Sequence, residues 1–334
     1  MDTLFFRQAL AIVGILSSSA CPPAGAADRA INAAVRETRD LLMWASGRLE
    51  SDSAVTPVRG DMIRIVARIR RAGYEGDRAA LRRHHEELAP LRRQNDARMA
   101  ARVRYWQGYA MWQRSIDGFN DGRDRKELER DLQLALRHFE DALALDLRFV
   151  EAKIGAIACL QSLAYLNREI PSAIPAIVSR LKRLFEESQG EAPENPRLLW
   201  VLGGQQWYQS TAIGERQDLA ISTYARGLRL ARERKAPAKD TVEPSWGEPE
   251  LLMSLAWANL HRTPPDVRAA EQYAREALAL VPYWRYIRNT LLPQIDSAGR
   301  KQPVEVRIMA LKRTASAEPD DRPVRTISRN ATDR

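Results

Sequence analysis

The stretch LALRHFEDALALDLRFVEAKIGAIACL, residues 134–160, carries the clearest structural signal in this chain. It contains two Ala-rich amphipathic segments that meet at residues 146–148 without a Gly or a Pro at the junction. Ala135, Phe139 and Ala142 share one face of the first segment at helical spacing. The pattern predicts two antiparallel helices that pack very closely on each other and then on their neighbours.

The composition supports an all-α fold for the whole chain. Of its 334 residues, 45% are hydrophobic and 28% are charged, as in ordinary soluble globular proteins. Strong helix formers fill the periodic segments, whereas β-branched residues are scarce in the middle of the chain. The chain is long enough for one large domain or two ordinary domains.

The net charge of +9 could indicate an anionic partner such as nucleic acid or a lipid surface. The basic residues, however, are interleaved with Glu and Asp along helical segments, as in RETRDLL and RKELERDL. This spacing favours local ion pairs on solvated helix faces. No nucleic-acid partner is therefore expected.

The N-terminus has the pattern of a secretory signal peptide over residues 1–26. Arg7 precedes an apolar run at residues 9–16, and Ala24-Gly25-Ala26 is a suitable cleavage site. Cys21 is a possible lipidation site, although Ser18 stands where a bacterial lipobox usually has Leu. We expect a periplasmic or secreted protein, and less readily a lipid-anchored one, because no later segment is apolar enough to span a membrane.

The rest of the chain divides into three parts. We expect residues 27–104 to form an N-terminal helical region, residues 105–300 a helical-repeat domain, and residues 301–334 a disordered basic tail. The N-terminal region either is a separate domain or extends the repeat stack, and the absence of a long linker favours extension. Individual helices are predicted at 28–50, 61–71, 77–92 and 95–113, followed by a loop at 115–124.

Small and aromatic residues recur at helical spacing through the central and C-terminal parts of the chain. The positions with this pattern are Ala135, Phe139, Ala142, Trp200, Gly204, Ala220, Tyr224, Ala270, Ala274, Ala277 and Pro282. With this pattern, residues 105–295 resemble the tetratricopeptide repeat (TPR), a helix–turn–helix unit of about 34 residues. The resemblance implies helix pairs stacked as an α-solenoid that binds a protein or peptide segment on its inner face.

The sequence departs from the regular repeat at several places. Leu147 stands where the family usually has Pro, and the segments between the predicted helices vary in length. We therefore expect an irregular solenoid, with extra helices at its N-terminus.

The chain lacks any spacing that indicates catalysis or metal binding. His84 and His85 are adjacent and would point about 100° apart on a helix, which does not suit one metal ion. No metal site, no cofactor and no enzymatic activity are expected. The chain has two cysteines, and Cys21 lies in the predicted signal peptide, so a disulfide framework is excluded. Cys159 is therefore expected to be a small buried side chain.

Four aromatic residues are the candidates for binding: Trp246, Trp284, Tyr286 and Tyr208. Aromatic residues at helical spacing belong more often to the core, so the positions outside the repeat pattern are the stronger candidates. Trp246 lies in the loop EPSWGEPE ahead of a predicted helix, where we expect it to be exposed to a partner.

Two functions remain as hypotheses. The first is an exported TPR-like scaffold that binds an unknown protein or peptide in the bacterial cell envelope. The alternative is a small-ligand-binding component of an envelope transport system, similar in its export signal and irregular helices to the T-component of TRAP transporters. The sequence leaves the oligomeric state open.

Overall fold

The structure is a computed structural model that describes residues 57–93, 96–209, 215–234 and 242–301. These residues form eleven α-helices and no strand. The helices are α1 (Pro57–Glu75), α2 (Arg78–Glu87), α3 (Ala97–Asn120), α4 (Arg125–Leu145), α5 (Val150–Leu166), α6 (Ile174–Glu191), α7 (Pro196–Gln209), α8 (Glu215–Glu233), α9 (Glu248–His261), α10 (Val267–Leu280) and α11 (Leu292–Lys301). A π-helical turn, Ile287–Leu291, leads directly into α11.

Aspartate side chains cap the N-termini of four of these helices. Asp77 accepts a hydrogen bond from the backbone N of Ala80 at the start of α2, as its position in the sequence predicts. Asp96, Asp124 and Asp266 do the same for α3, α4 and α10. Each cap satisfies backbone N–H groups that have no partner inside the helix, and so fixes where the helix begins.

The helices pack as consecutive antiparallel pairs, α1/α2, α3/α4, α5/α6, α7/α8 and α9/α10, with α11 after the last pair. The first helices of the pairs also pack on one another, from α1 through α3, α5 and α7 to α9. They form an inner layer, and the second helices form an outer layer. The predicted all-α arrangement of stacked helix pairs is confirmed.

Small residues allow these helices to approach closely, as the sequence predicts. Phe139 of α4 is fully buried between Gly108 of α3 and Gly155 of α5. An ideal Cβ atom built on Gly108 would lie 3.0 Å from the Phe139 ring, and one built on Gly155 would lie 2.5 Å from it. The aromatic ring therefore occupies the space that two missing side chains leave open.

The other predicted repeat positions lie mostly in the same kind of packing. Fully buried alanines occur at Ala135, Ala142, Ala220, Ala270, Ala274 and Ala277. Tyr224 packs against Gly203 of α7, where an added Cβ would lie 2.6 Å from its ring. Gly204, predicted for this position, is only half-buried, so the sequence register was wrong by one residue. Pro282 is exposed in the turn after α10.

Three of the predicted helices have different bounds in the structure. The helix predicted at 61–71 is longer, since it spans Pro57–Glu75, and the helix predicted at 77–92 ends at Glu87 before a short 3-10 turn. Helix α3 continues through the predicted loop to Asn120. Gly118, which suggested a helix end, lies inside α3 and packs against Leu128, so this glycine serves close packing.

The N-terminal pair belongs to the same stack, because α1 packs on α3 and α2 packs on α3. None of the helices in the described ranges is long and apolar enough to cross a membrane. The predicted signal peptide with Cys21, the helix at 28–50, and the basic tail after Lys301 lie outside the described residues.

Candidate functional site

The first and last helix pairs meet across the inner layer. The hydroxyl of Tyr74, at the end of α1, donates a hydrogen bond to Oε1 of Glu250 in α9 at 2.7 Å. The Tyr74 ring also packs edge-on against Trp284, with 4.9 Å between ring centroids. At the same end of α1, the Gly76 backbone lies against the guanidinium of Arg285. These contacts bring the two ends of the stack together.

The segment before α9, residues 242–247, covers part of the inner layer. The Nε1 atom of Trp106 donates to the Val242 carbonyl at 2.6 Å, and Nε1 of Trp246 donates to the Tyr105 hydroxyl at 2.7 Å. The Arg102 guanidinium forms an ion pair with Glu243 at 3.1 Å. Helix α3 thus holds this segment along its inner side.

Trp246 is buried, with 4% of its surface exposed, so the expectation of an exposed tryptophan was wrong. Its ring lies 5.7 Å from the rings of both Trp112 and Trp200, measured between centroids. Gly247 adopts a φ of 137°, a conformation that favours glycine, and its N–H donates to Glu250 Oε2 at 2.7 Å. This turn directs Trp246 inward from the loop.

A cavity lies on the inner side of the stack, between α1, α3, α7, α9 and the turn that leads to α11. The enclosed part of the cavity is small, about 50 Å³, and the cavity opens toward solvent. Its walls are largely aromatic, and the aromatic side chains that line it are Tyr74, Trp112, Trp200, Trp284 and Tyr286. Apolar, aromatic cavities of this kind are typical of small-molecule sites.

A second, more polar compartment adjoins the cavity. It shares Tyr74, Asp117, Asn120, Trp284 and Tyr286 with the aromatic compartment. Polar side chains line its remaining wall: Asp121, Arg285, Asn289 and Thr290. The site therefore combines an apolar interior with a polar mouth.

Asp117 lies at the boundary between the two compartments, because it lines both of them. The side chain is 6% exposed, and its Oδ2 atom is buried without a hydrogen-bond partner among the described residues. Burial raises the pKa of this carboxyl to about 8. An unpaired buried carboxyl is costly, because the interior does not replace its lost hydration.

The other charged groups at the site have partners. Glu250 accepts the two hydrogen bonds from Tyr74 and from Gly247. Arg285 and Asp121 form an ion pair at 2.9 Å at the polar mouth. Burial, followed by the Glu250 charge, raises the pKa of Tyr74 well above its ordinary value, so this hydroxyl stays protonated as a donor.

The structure brings some of the predicted binding residues together and separates others. Trp284 and Tyr286 both line the cavity, and Trp200, predicted as a repeat position, joins them. Trp246 packs behind the wall against Trp112 and Trp200. Tyr208 is buried near the end of α7 and does not line the described cavity.

Sequence reasoning missed three polar and aromatic members of the site, Asp117, Tyr74 and Glu250. Asp117 lay in a segment interpreted as a loop. An aspartate in register with the buried face of the preceding helix was the signal that could have identified it. Nothing in the sequence relates Tyr74 to Glu250, which lie 176 positions apart.

Two histidines approach each other away from the cavity. Nε2 of His85 in α2 lies 2.9 Å from Nε2 of His138 in α4. Burial lowers the pKa of His85 to about 4 and that of His138 to about 3, which favours a neutral, hydrogen-bonded pair. In the described ranges, no group of three or more possible ligands is arranged for a metal ion. Cys159 is buried, as predicted.

Comparisons with protein-family models, with curated proteins and with solved structures give no match.

Proposed function

We propose that this chain is a helical-repeat protein that binds a small ligand in the inner cavity. The observation that carries the proposal is the combination of aromatic walls with one buried, unpartnered carboxyl, Asp117. Ligand sites in proteins typically place a few polar groups in a mainly apolar cavity. Structural cores generally pair or exclude a buried carboxyl.

The covered inner layer favours a small ligand over a bound peptide. A scaffold of the TPR type binds an extended segment along the inner face of its helices. Here residues 242–247 already occupy part of that face, through hydrogen bonds to Tyr105 and Trp106. The protein-binding scaffold stays a prediction, with an unidentified envelope protein or peptide as its partner.

The helix pairs also support a TPR-type origin for the stack. The ring of Phe139 lies between glycines of two successive inner helices, and Tyr224 makes the corresponding contact with Gly203. With the predicted signal peptide, we propose a non-enzymatic binding component of the bacterial envelope. Its general class would then resemble the T-component of TRAP transporters.

The proposal can be tested by looking for a retained ligand. The full chain would be purified without denaturation, and its mass would be measured intact under native and denaturing conditions. We expect a native mass that exceeds the denatured mass by that of a small molecule, which organic extraction then releases for identification.

A pair of variants locates the retained molecule. Ile116→Trp adds bulk at a half-buried position of the cavity wall, and it should abolish retention. Leu219→Trp makes the same kind of change at a position that is 49% exposed on α8, and it should retain the ligand. Equal retention in both variants would contradict the cavity as the site, provided that both variants melt cooperatively.

A further inference from the structure

We propose that the cavity selects a small organic cation, an amine on an apolar body, with Asp117 as its counter-ion. The inference rests on the proposed function and adds the chemical class of the ligand. It follows from three features of the site: the state of each carboxylate, the nature of the walls, and the environment of Asp117.

Among the charged groups that the structure describes at the site, one carboxyl oxygen is buried without a partner. Among the carboxylates that line the two compartments, Glu250 is held by Tyr74 and Gly247, and Asp121 is held by Arg285. Oδ2 of Asp117 has no such partner in the described part of the chain. A ligand that brings an N–H donor with a positive charge would satisfy both its hydrogen bonding and its charge.

The walls suit a cation as well as an apolar group. A cation within about 6 Å of an aromatic ring face is attracted by the ring quadrupole. The ring planes of Trp112 and Trp200 are inclined at 80°, with 5.8 Å between their centroids. The two rings therefore form a corner of the cavity. Tyr74 and Trp284 form a second such corner at 64°. An anionic ligand is disfavoured, because the ring faces and the nearby carboxylate of Asp117 would both repel its negative charge.

The environment of Asp117 makes binding depend on pH. Burial raises its pKa to about 8; the nearby cations Arg285 and Arg78 act against this shift, and the carboxylates Asp121 and Asp77 add to it. The ionised fraction of this carboxyl then rises from about 1% at pH 6 to about half at pH 8. Affinity for a cation that requires the ionised form should therefore increase by up to about 50-fold over this range.

Three probes with the same aromatic ring separate charge from size: benzylamine, benzyl alcohol and benzoate. Calorimetric titration of the wild-type full chain at pH 8 should show benzylamine binding at least about tenfold more tightly than the other two. Its affinity should rise between pH 6 and pH 8. The affinity of the neutral alcohol should not follow that profile.

Two carboxylate variants complete the experiment. Asp117→Asn should reduce the ratio of benzylamine to benzyl alcohol affinity to about one and remove the pH profile. Asp141→Asn makes the same charge change on α4, at a side chain that is 52% exposed, and it should preserve both. The melting curve of each variant shows whether it is folded.

The outcomes distinguish this inference from the proposed function. If benzyl alcohol or benzoate binds the wild type as tightly as benzylamine, the cation preference is refuted while the cavity remains a ligand site. If a retained molecule is found but no probe binds, the inference fails alone. If no molecule is retained and no probe binds, both proposals are refuted.

Discussion

Replacing Gly155 with alanine should destabilise the fold, although alanine is the better helix former. The added Cβ would lie 2.5 Å from two atoms of the Phe139 ring, a distance that real Cβ contacts do not reach. The ring cannot retreat, because on its other side it lies against Gly108, whose own Cβ position is 3.0 Å away. Overpacking of this kind costs about 1–3 kcal/mol. The gain in helix propensity returns about 1 kcal/mol at most.

The net expectation is a loss of up to about 2 kcal/mol in the free energy of unfolding, measured by urea denaturation. Gly190→Ala is the matched control, because no atom lies within 4 Å of a Cβ at that position of α6. That change should be neutral or stabilising by up to about 1 kcal/mol. In a Phe139→Leu background the smaller side chain leaves room for the methyl group, so the penalty of Gly155→Ala should largely vanish.

The double-mutant cycle gives a clear refutation. If Gly155→Ala stabilises the chain as much as Gly190→Ala does, Phe139 does not fill the space between α3 and α5. If the effects of Gly155→Ala and Phe139→Leu on the free energy of unfolding are additive, the predicted contact is also refuted, because side chains in direct contact show coupling.

Two further predictions concern the site. Trp246→Ala should lower the free energy of unfolding by about 3–5 kcal/mol, since it empties a buried position and leaves the Tyr105 hydroxyl without its donor; a change below about 1 kcal/mol in urea denaturation would contradict the burial of this ring. The folded-state pKa of Asp117, about 8, lies above its ordinary value of 3.8, so this group's contribution to stability is fully present below about pH 4 and is lost as the pH rises through about 8. Asp117→Asn should therefore stabilise the chain relative to wild type by a margin that grows from pH 5 to pH 8, and a margin independent of pH would show that the carboxyl titrates normally.

Most of the helical stack is predictable from local sequence. The faces of α4 and α10 contain small residues at helical spacing, and this spacing alone identifies Ala135, Phe139 and Ala274 as buried. Side chains three or four positions apart share a helix face whatever the rest of the chain does. The error of length at the end of α3 arises because glycine marks both helix ends and close packing. The error of register at Gly204 arises because the adjacent Gly203 fits the same pattern.

The candidate site is less predictable, because contacts between distant segments create it. Trp246 looks exposed in a Pro-rich loop, yet its hydrogen-bond partner Tyr105 lies 141 positions earlier. The cavity exists only where α1 meets α9, through Tyr74 and Glu250. No periodicity in either helix indicates that meeting, so residues of the site appear in the sequence as scattered members of a core.

Asp117 links the stability of the stack to the occupancy of its cavity. Above about pH 8 the empty site holds a buried negative charge, and the fold bears the cost of that charge. A cationic ligand would remove most of this cost, because it replaces the lost hydration with an ion pair and hydrogen bonds. Since a ligand that binds only the folded state adds to its stability, the ligand should stabilise the chain more at pH 8 than at pH 6. An asparagine at this position would avoid the cost but would also lose the counter-ion, so stability and binding oppose each other at this one side chain.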